Sequence, residues 1–271
     1  MLLAARPLPV AAAALRLAIV PVPADHHAVR WADILALSVR AGLDGAPGLE
    51  VIDLPSVLAP QAAPDLELWE AALRALEAGR TAYDALALRR AAKHLTWAAA
   101  AFESAPGRLR RGGPYSETLA LLGAIHVLED EAEQAKAPLE RLALFDPTYR
   151  MDPERYPPPV IAAFEAARAR LQAQPAAPLR LRCHGTCLLY VDDEAVGLGP
   201  EVALSRPPGP HIVRAEWWGH FPAGLRVALP PDGAEAELAP TEGPEVALVA
   251  AVERRLGPGP VRTHPPSGCG R

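Results

Sequence analysis

The hydrophobic pattern of this 271-residue chain changes its period near Ala173. Before that residue, apolar side chains recur every three or four positions, which is the spacing of an amphipathic helix. After it, Leu179 and Leu181 alternate with arginines, which is the period of a half-buried strand. Four further short runs follow, separated by turn residues: 187–191, 201–204, 211–217 and 225–229. The pattern predicts an α+β chain with a compact β-module at 178–230.

Residues 64–174 are predicted to form antiparallel helix pairs. Pro- and Gly-rich stretches separate five apolar stripes with helical spacing. Alanine, a strong helix former, supplies much of the hydrophobic half of the composition, so we expect thin cores shared between neighbouring helices. Pro138 lies inside the fourth helix and should kink it or delay its start.

Residues 15–60 predict a small βαβ unit. A short apolar run starts at Leu15, and a second one covers 51–54. Between them, four apolar residues fall on one face of a predicted helix: Trp31, Ile34, Leu35 and Val39. Two parallel strands and one crossover helix cannot bury both sheet faces alone. We therefore expect the unit to pack on another part of the chain, with the helices that follow as the first candidate.

The two termini carry separate expectations. Residues 1–14 are a candidate signal segment, because they are apolar and rich in small residues, although no basic start precedes the apolar run and Pro7 and Pro9 interrupt it. Residues 243–271 are predicted to form one short helix and a disordered Pro/Gly tail.

The charge and hydropathy patterns exclude two classes of partner. The net charge of −5 argues against nucleic acid, whose binding needs concentrated Lys and Arg. The densest basic cluster is Arg108, Arg110 and Arg111, which we predict to be a solvated loop. No stretch reaches the ~18 unbroken apolar residues that a membrane span requires.

The third and fourth predicted helices resemble a tetratricopeptide repeat (TPR). Leu119 takes the first position of that pattern, Leu122 and Gly123 the Leu-Gly pair, and His126 the aromatic position. Three later positions follow in order, namely Ala135, Leu139 and the closing Pro147. The first two helices fit the pattern less well, so the region is TPR-like.

The β-module resembles a PEGA domain over about 179–230. The residues that carry the resemblance are Tyr190-Val191-Asp192, Gly197, Gly199-Pro200, Pro208-Gly209-Pro210-His211 and Gly219. Asp193 stands where the family usually has glycine. Because aspartate adopts positive φ less readily than glycine, we expect a longer turn of a different type there.

These resemblances imply a location and a class of function. PEGA domains are non-catalytic modules of envelope and surface-associated bacterial proteins, often beside helical repeats. Residues 15–54 also resemble the opening βαβ of TolB-like or CsgG-like envelope domains. The resemblances together imply a periplasmic or envelope-associated protein.

Cys183 and Cys187 leave three interpretations open. At a turn between strands, their sulfurs could lie within disulfide reach, which would strengthen the start of the β-module in an oxidising compartment. The same cysteines could instead be free thiols. They could also bind zinc together with His184, although a fourth ligand is not evident.

A compact aromatic cluster at Trp217, Trp218 and Phe221 is the candidate partner contact. Adjacent residues on a strand point to opposite faces, so one tryptophan should fill the core and the other should face outward. The outward residue could pack on the helices, or contact a protein partner or cell-wall sugar.

The sequence favours a binding function over catalysis. Nucleotide-binding loops, nucleophile elbows and HExxH motifs are absent from it, and no cofactor or metal site is predicted. We expect a non-enzymatic scaffold or protein-binding adaptor of the cell envelope, with a protein partner bound through the helical region. The alternatives are an accessory or regulatory subunit of an envelope enzyme or transport machine, and a cytoplasmic adaptor.

Overall fold

The computed structural model describes residues 15–21, 29–44, 46–52 and 65–240, with the single residues Val57 and Ala63. Within them the chain is α+β, as predicted. The first elements are β1 (Leu15–Leu17), α1 (Val29–Leu43) and β2 (Leu49–Val51); then come α2 (Leu66–Asp84), α3 (Leu88–Glu103), α4 (Pro114–Leu128), α5 (Ala132–Phe145) and α6 (Pro158–Gln172). Five strands follow: β3 (Ala177–Val191), β4 (Glu194–Arg206), β5 (Gly209–Glu216), β6 (Ala223–Leu229) and β7 (Ala234–Leu238).

Two sequence predictions concern segments outside the described residues, namely the candidate signal at 1–14 and the helix and tail at 243–271. Among the helices that are described, none is long and apolar enough to cross a membrane.

The two helix hairpins α2–α3 and α4–α5 have equivalent turns. Leu86 and Asp130 both adopt a left-handed conformation, with φ of 56° and 59°, and they lie 44 positions apart. Small residues at the same offset let the helices approach closely. A Cβ on Gly79 would lie 2.6 Å from Leu95, and one on Gly123 would collide with Leu139. The first hairpin is therefore a structural repeat of the second.

The helices share one core, in which aromatic rings form a continuous edge-to-face chain. Trp69 contacts Phe102 at 4.9 Å between ring centroids, Phe102 contacts Tyr115 at 6.5 Å, and Tyr115 contacts Phe145 at 5.1 Å. Such pairs stabilise a fold beyond the area they bury. Helix α5 begins at Ala132, so Pro138 lies within it and does not delay its start.

The β-module is one mixed sheet folded around its own core. The strand order is β4-β3-β5-β6, and β7 pairs in parallel with the first half of β3. The second half of β3 pairs with β5, and a register shift between Arg182 and Cys187 separates the two halves. The predicted runs at 179–182 and 187–191 are therefore one bulged strand, which both halves of the bent sheet share.

The β3–β4 turn contains two residues, contrary to the longer turn expected from Asp193. Val191 pairs directly with Glu194, and both intervening residues adopt positive φ: 49° at Asp192 and 61° at Asp193. These are the signs that a type I′ hairpin requires. Side-chain hydrogen bonds of both aspartates, described below, hold this unfavourable backbone in place.

The βαβ unit packs on the β-module, whereas we expected it to pack on the helices. β1 and β2 pair in parallel, and α1 places Leu37 and Ala41 against Leu188 and Tyr190 of β3. The predicted apolar face of α1 is wrong as a packing face. Three of its four members remain exposed, with Trp31 at 70%, Leu35 at 64% and Val39 at 42%, and the fourth, Ile34, is half-buried. The outer face of β3 instead contacts the adjacent face of α1, which contains Leu37 and Ala41.

Candidate functional site

A buried ionic cluster joins the three parts of the molecule. It consists of Arg40 from α1, Arg110 from the loop before α4, and Asp193, Arg214 and Glu216 from the β-module. Arg40 Nε lies 2.5 Å from Glu216 Oε2, and Arg110 Nη2 lies 3.4 Å from Glu216 Oε1. Arg214 donates to Glu216 and to Asp193 Oδ1, the latter at 2.6 Å. Arg110 is thus part of a junction as well as of the predicted loop, and its side chain remains 39% exposed.

The electrostatics of this cluster reflect its burial. Three guanidinium groups share two carboxylates, and the Arg214 guanidinium stacks 3.6 Å from the ring centroid of Tyr190. Burial, followed by the charge of Arg110, lowers the pKa of Arg214 to about 10. Burial raises the pKa of Tyr190 above its usual value of 10.0. Arg214 and Glu216 are thus charged groups held away from water, at 3% and 5% exposure, whereas Arg110 at the edge of the cluster is 39% exposed.

The first residue of the turn, Asp192, makes a second buried interaction. Its Oδ2 lies 2.5 Å from His211 Nδ1, and its Oδ1 accepts the backbone N–H of Ile212 at 2.9 Å. His211 Nε2 lies 2.7 Å from the carbonyl oxygen of Pro207, so both ring nitrogens face acceptors and both must donate. Burial alone would lower the pKa of His211, but the hydrogen bond and charge of Asp192 outweigh it and raise that pKa.

Cys183 and Cys187 form a disulfide in the structure. Their sulfurs are 2.03 Å apart and their Cα atoms 6.5 Å apart, across the bulge of β3. His184, the third candidate zinc ligand, is exposed and pairs with Glu237 at 2.9 Å. In the part of the chain that the structure describes, no three His, Cys, Asp or Glu side chains are grouped as a metal site.

The disulfide bulge borders a cavity of about 310 Å³, which we call the bulge cavity. Three segments line it: Asp33, Ile34 and Leu37 of α1, Gly185 and Thr186 of the bulge, and Trp217, Trp218 and His220 after β5. The cavity brings the segment between the two cysteines next to the tryptophan pair, and the sequence analysis treated these two motifs separately. Its α1 residues could not be assigned to the site from the sequence, because they lie about 150 positions before both motifs.

The three aromatic residues predicted as partner contacts differ in their accessibility. Trp217 lies in the core of the β-module, and its Nε1 donates to the carbonyl oxygen of His184 at 2.7 Å. Trp218 is half-buried and lines the cavity. Phe221 is only 2% exposed, so it is a core residue and cannot be a contact surface in this conformation. Trp218 is therefore the aromatic residue available to a ligand.

The lining of the bulge cavity is suited to binding. Two tryptophans and two aliphatic side chains offer apolar contact, while Asp33, Thr186 and His220 contribute polar groups. The accessible lining is more polar than apolar, which favours a ligand that forms hydrogen bonds as well as one aromatic contact. The disulfide occupies both cysteine sulfurs, so neither can act as a thiolate nucleophile while it is intact.

Removal of the disulfide tests its structural role. We expect replacement of Cys183 and Cys187 by alanine to lower the free energy of unfolding by about 2 kcal/mol, the value that chain entropy gives for so short a loop. Urea denaturation with and without reductant measures it, and the reduced wild type should match the double variant. Wild-type stability that does not respond to reductant would contradict the bridge.

Comparison of this chain with models of protein families, with curated proteins and with solved structures found no match.

Proposed function

We propose that this protein is a non-enzymatic binding adaptor of the bacterial cell envelope. In this proposal TPR-like hairpins and a PEGA-like β-module act as one body. The observation that carries the proposal is the bulge cavity, where α1, the disulfide bulge and Trp218 meet. A site formed by three segments of the chain depends on their fixed arrangement, and the buried ionic cluster supplies that arrangement.

The envelope location is supported by the disulfide. Structural disulfides persist in oxidising compartments and are rare in the cytosol. The resemblance of the β-module to PEGA domains favours the same location. A bridge that strengthens the wall of the bulge cavity is useful to a binding protein outside the cytoplasm, where no reducing system maintains free thiols.

A second surface supports a protein partner for the helical region. A groove of about 280 Å³ lies between α5 and α6, and we call it the helical groove. Its lining is largely aliphatic, with Lys136 and Arg170 among its charged members. Grooves between stacked helices are the surfaces on which helical repeats bind extended segments. Two sites on one body would strengthen binding through their effective concentration.

Site-specific photo-crosslinking in the native host tests this function. A photoreactive amino acid replaces Trp218 in the bulge cavity, Ala166 in the helical groove, or Trp97, an exposed residue of α3, as the control. We expect discrete adducts from the first two positions and none from the third. An adduct that a protease degrades contains a protein partner, and an adduct that a muramidase degrades contains a cell-wall partner. Identical patterns from all three positions, or no adducts, would refute the proposal.

The location is tested by the intact mass of the protein from its native host, with alkylation before and after reduction. Loss of about the first 14 residues, with two thiols protected until reduction, is the expected result for an exported protein. A full-length mass with every thiol free would refute export and favour the cytoplasmic adaptor.

A further inference from the structure

A second cavity, distinct from the bulge cavity, lies where the helices meet the β-module. It has a volume of about 180 Å³, and we call it the arginine cavity. Helices α5 and α6 form one wall, and the ends of β4 and β5 form the other. Its charged and titratable lining residues are Arg111, Arg168, Arg206, His211 and Asp192. Four of these five can carry positive charge, in a chain whose net charge is −5.

The carboxylates that pair with these arginines lie outside the cavity. Glu194 is 3.2 Å from Arg206 and 3.5 Å from Arg111, and Glu165 is 3.0 Å from Arg168. Both glutamate side chains are more than half exposed, at 54% and 52%, whereas the arginine side chains are 15–24% exposed. Because solvent screens exposed charges, these carboxylates compensate only part of the positive charge within the cavity.

The one carboxylate in the lining already has partners. Asp192 uses Oδ2 for His211 and Oδ1 for the N–H of Ile212, so both of its oxygens are directed at β5. Arg168 donates through Nη1 to Glu165 at 3.0 Å and through Nη2 to the carbonyl oxygen of Tyr149 at 2.7 Å, so its side chain is held at the edge of the cavity.

We propose that the arginine cavity binds a phosphate-like oxyanion. The planar guanidinium group matches the geometry of phosphate oxygens and forms charge-assisted hydrogen bonds with them. The volume is sufficient, since a liquid water occupies about 30 Å³ and the cavity equals about six of them. The bound anion would bridge Arg168 of α6 and Arg206 of β4, and so would connect the helices to the β-module.

Isothermal titration of the full chain with inorganic phosphate, at constant ionic strength set with chloride, tests this site. We expect saturable binding to the wild type. Arg206→Gln should weaken it by about ten-fold or more, because a charge-assisted hydrogen bond is lost. Arg180→Gln is the matched control, since Arg180 also lies on a strand and pairs with a glutamate, Glu201, but it does not line the cavity. Its affinity should equal that of the wild type.

A third variant is expected to increase the affinity for phosphate. Glu194→Gln removes the carboxylate that competes for Arg111 and Arg206, so phosphate should bind several-fold more tightly, whereas a merely destabilised protein would bind less. Glycerol phosphate, compared with phosphate, shows whether the physiological ligand is a phosphorylated molecule or the free ion. Absence of saturable binding in both the wild type and Glu194→Gln, or unchanged affinity in Arg206→Gln, would overturn the proposal.

Discussion

Glu216→Gln is expected to lower the free energy of unfolding by about 3–5 kcal/mol, the largest effect of any single substitution that we predict. The glutamine keeps the shape of the side chain and removes its charge. Arg40, Arg110 and Arg214 would then lose the carboxylate that all three contact. Breaking a buried pair leaves uncompensated charge in a medium of low dielectric constant, which explains the size of the effect. Urea denaturation followed by circular dichroism measures it.

Glu201→Gln is the matched control for this prediction. Glu201 also lies on a strand and pairs with two arginines, Arg180 at 3.5 Å and Arg182 at 3.6 Å. Its side chain is 47% exposed, against 5% for Glu216. Exposed ion pairs contribute about 0–1 kcal/mol, so the control should change stability by no more than that. Equal effects of the two substitutions would mean that water reaches the ionic cluster.

Arg40→Gln tests which member of the ionic cluster contributes more to the free energy of unfolding. It removes one of the three guanidinium groups that contact Glu216 and leaves that carboxylate paired with the other two, so it should destabilise the protein less than Glu216→Gln does. The reverse order would show that the attachment of α1, rather than the charge of the cluster, dominates the energetics.

The period of the hydrophobic pattern was enough to predict the α+β class, but it missed β7 and divided β3 into two runs. The helical period and the period-two alternation are local patterns of neighbouring residues, so they can be read without knowledge of the tertiary structure. The equivalence of the two hairpins was missed, although a signal was present: Gly79 and Leu95 recur 44 positions later as Gly123 and Leu139. The TPR pattern gives weight to Trp, Tyr and Phe positions, and this chain has leucine or histidine at them.

The packing face of α1 could not be predicted from the helix alone. Trp31, Leu35 and Val39 form the more hydrophobic stripe, yet Leu37 and Ala41 are the residues that contact the sheet. The choice depends on the outer face of β3, where Leu188 and Tyr190 are available, and on the pairing of Arg40 with Glu216 across 176 positions of sequence. Such long-range pairing has no local signature.

The ionic cluster and the bulge cavity were also beyond local reasoning, but one clue existed. Asp192 and Asp193 occupy a two-residue turn in which glycine is favoured, so their side chains needed partners that could hold the strained backbone. The structure supplies those partners. Asp193 accepts from the backbone N–H of Arg111, 82 positions away, and Asp192 accepts from His211.

Gly107→Ala is expected to destabilise the protein by about 3 kcal/mol, at the upper end for overpacking, because the obstructing atoms belong to the backbone. Gly107 lies in a single 3₁₀ turn between α3 and α4 and faces the start of β6. A Cβ there would collide with the carbonyl oxygen of Pro222, and one on Gly224 would lie 2.6 Å from the backbone nitrogen of Gly107. Helices and sheet thus meet backbone to backbone at a contact that only glycine permits.

Gly42→Ala is the control for this substitution, because Gly42 lies in α1 and a Cβ there would meet no atom within 4 Å. Alanine restricts the unfolded chain more than glycine does, so this substitution should stabilise the protein by about 0.5–1 kcal/mol.

Gly107→Ala should also be non-additive with Glu216→Gln, because displacement of the turn moves Arg110 away from the carboxylate that it contacts. Strict additivity of the two would show that the glycine contact and the ionic cluster act independently. A double-mutant cycle therefore measures whether the helices and the β-module are held together as one cooperative unit.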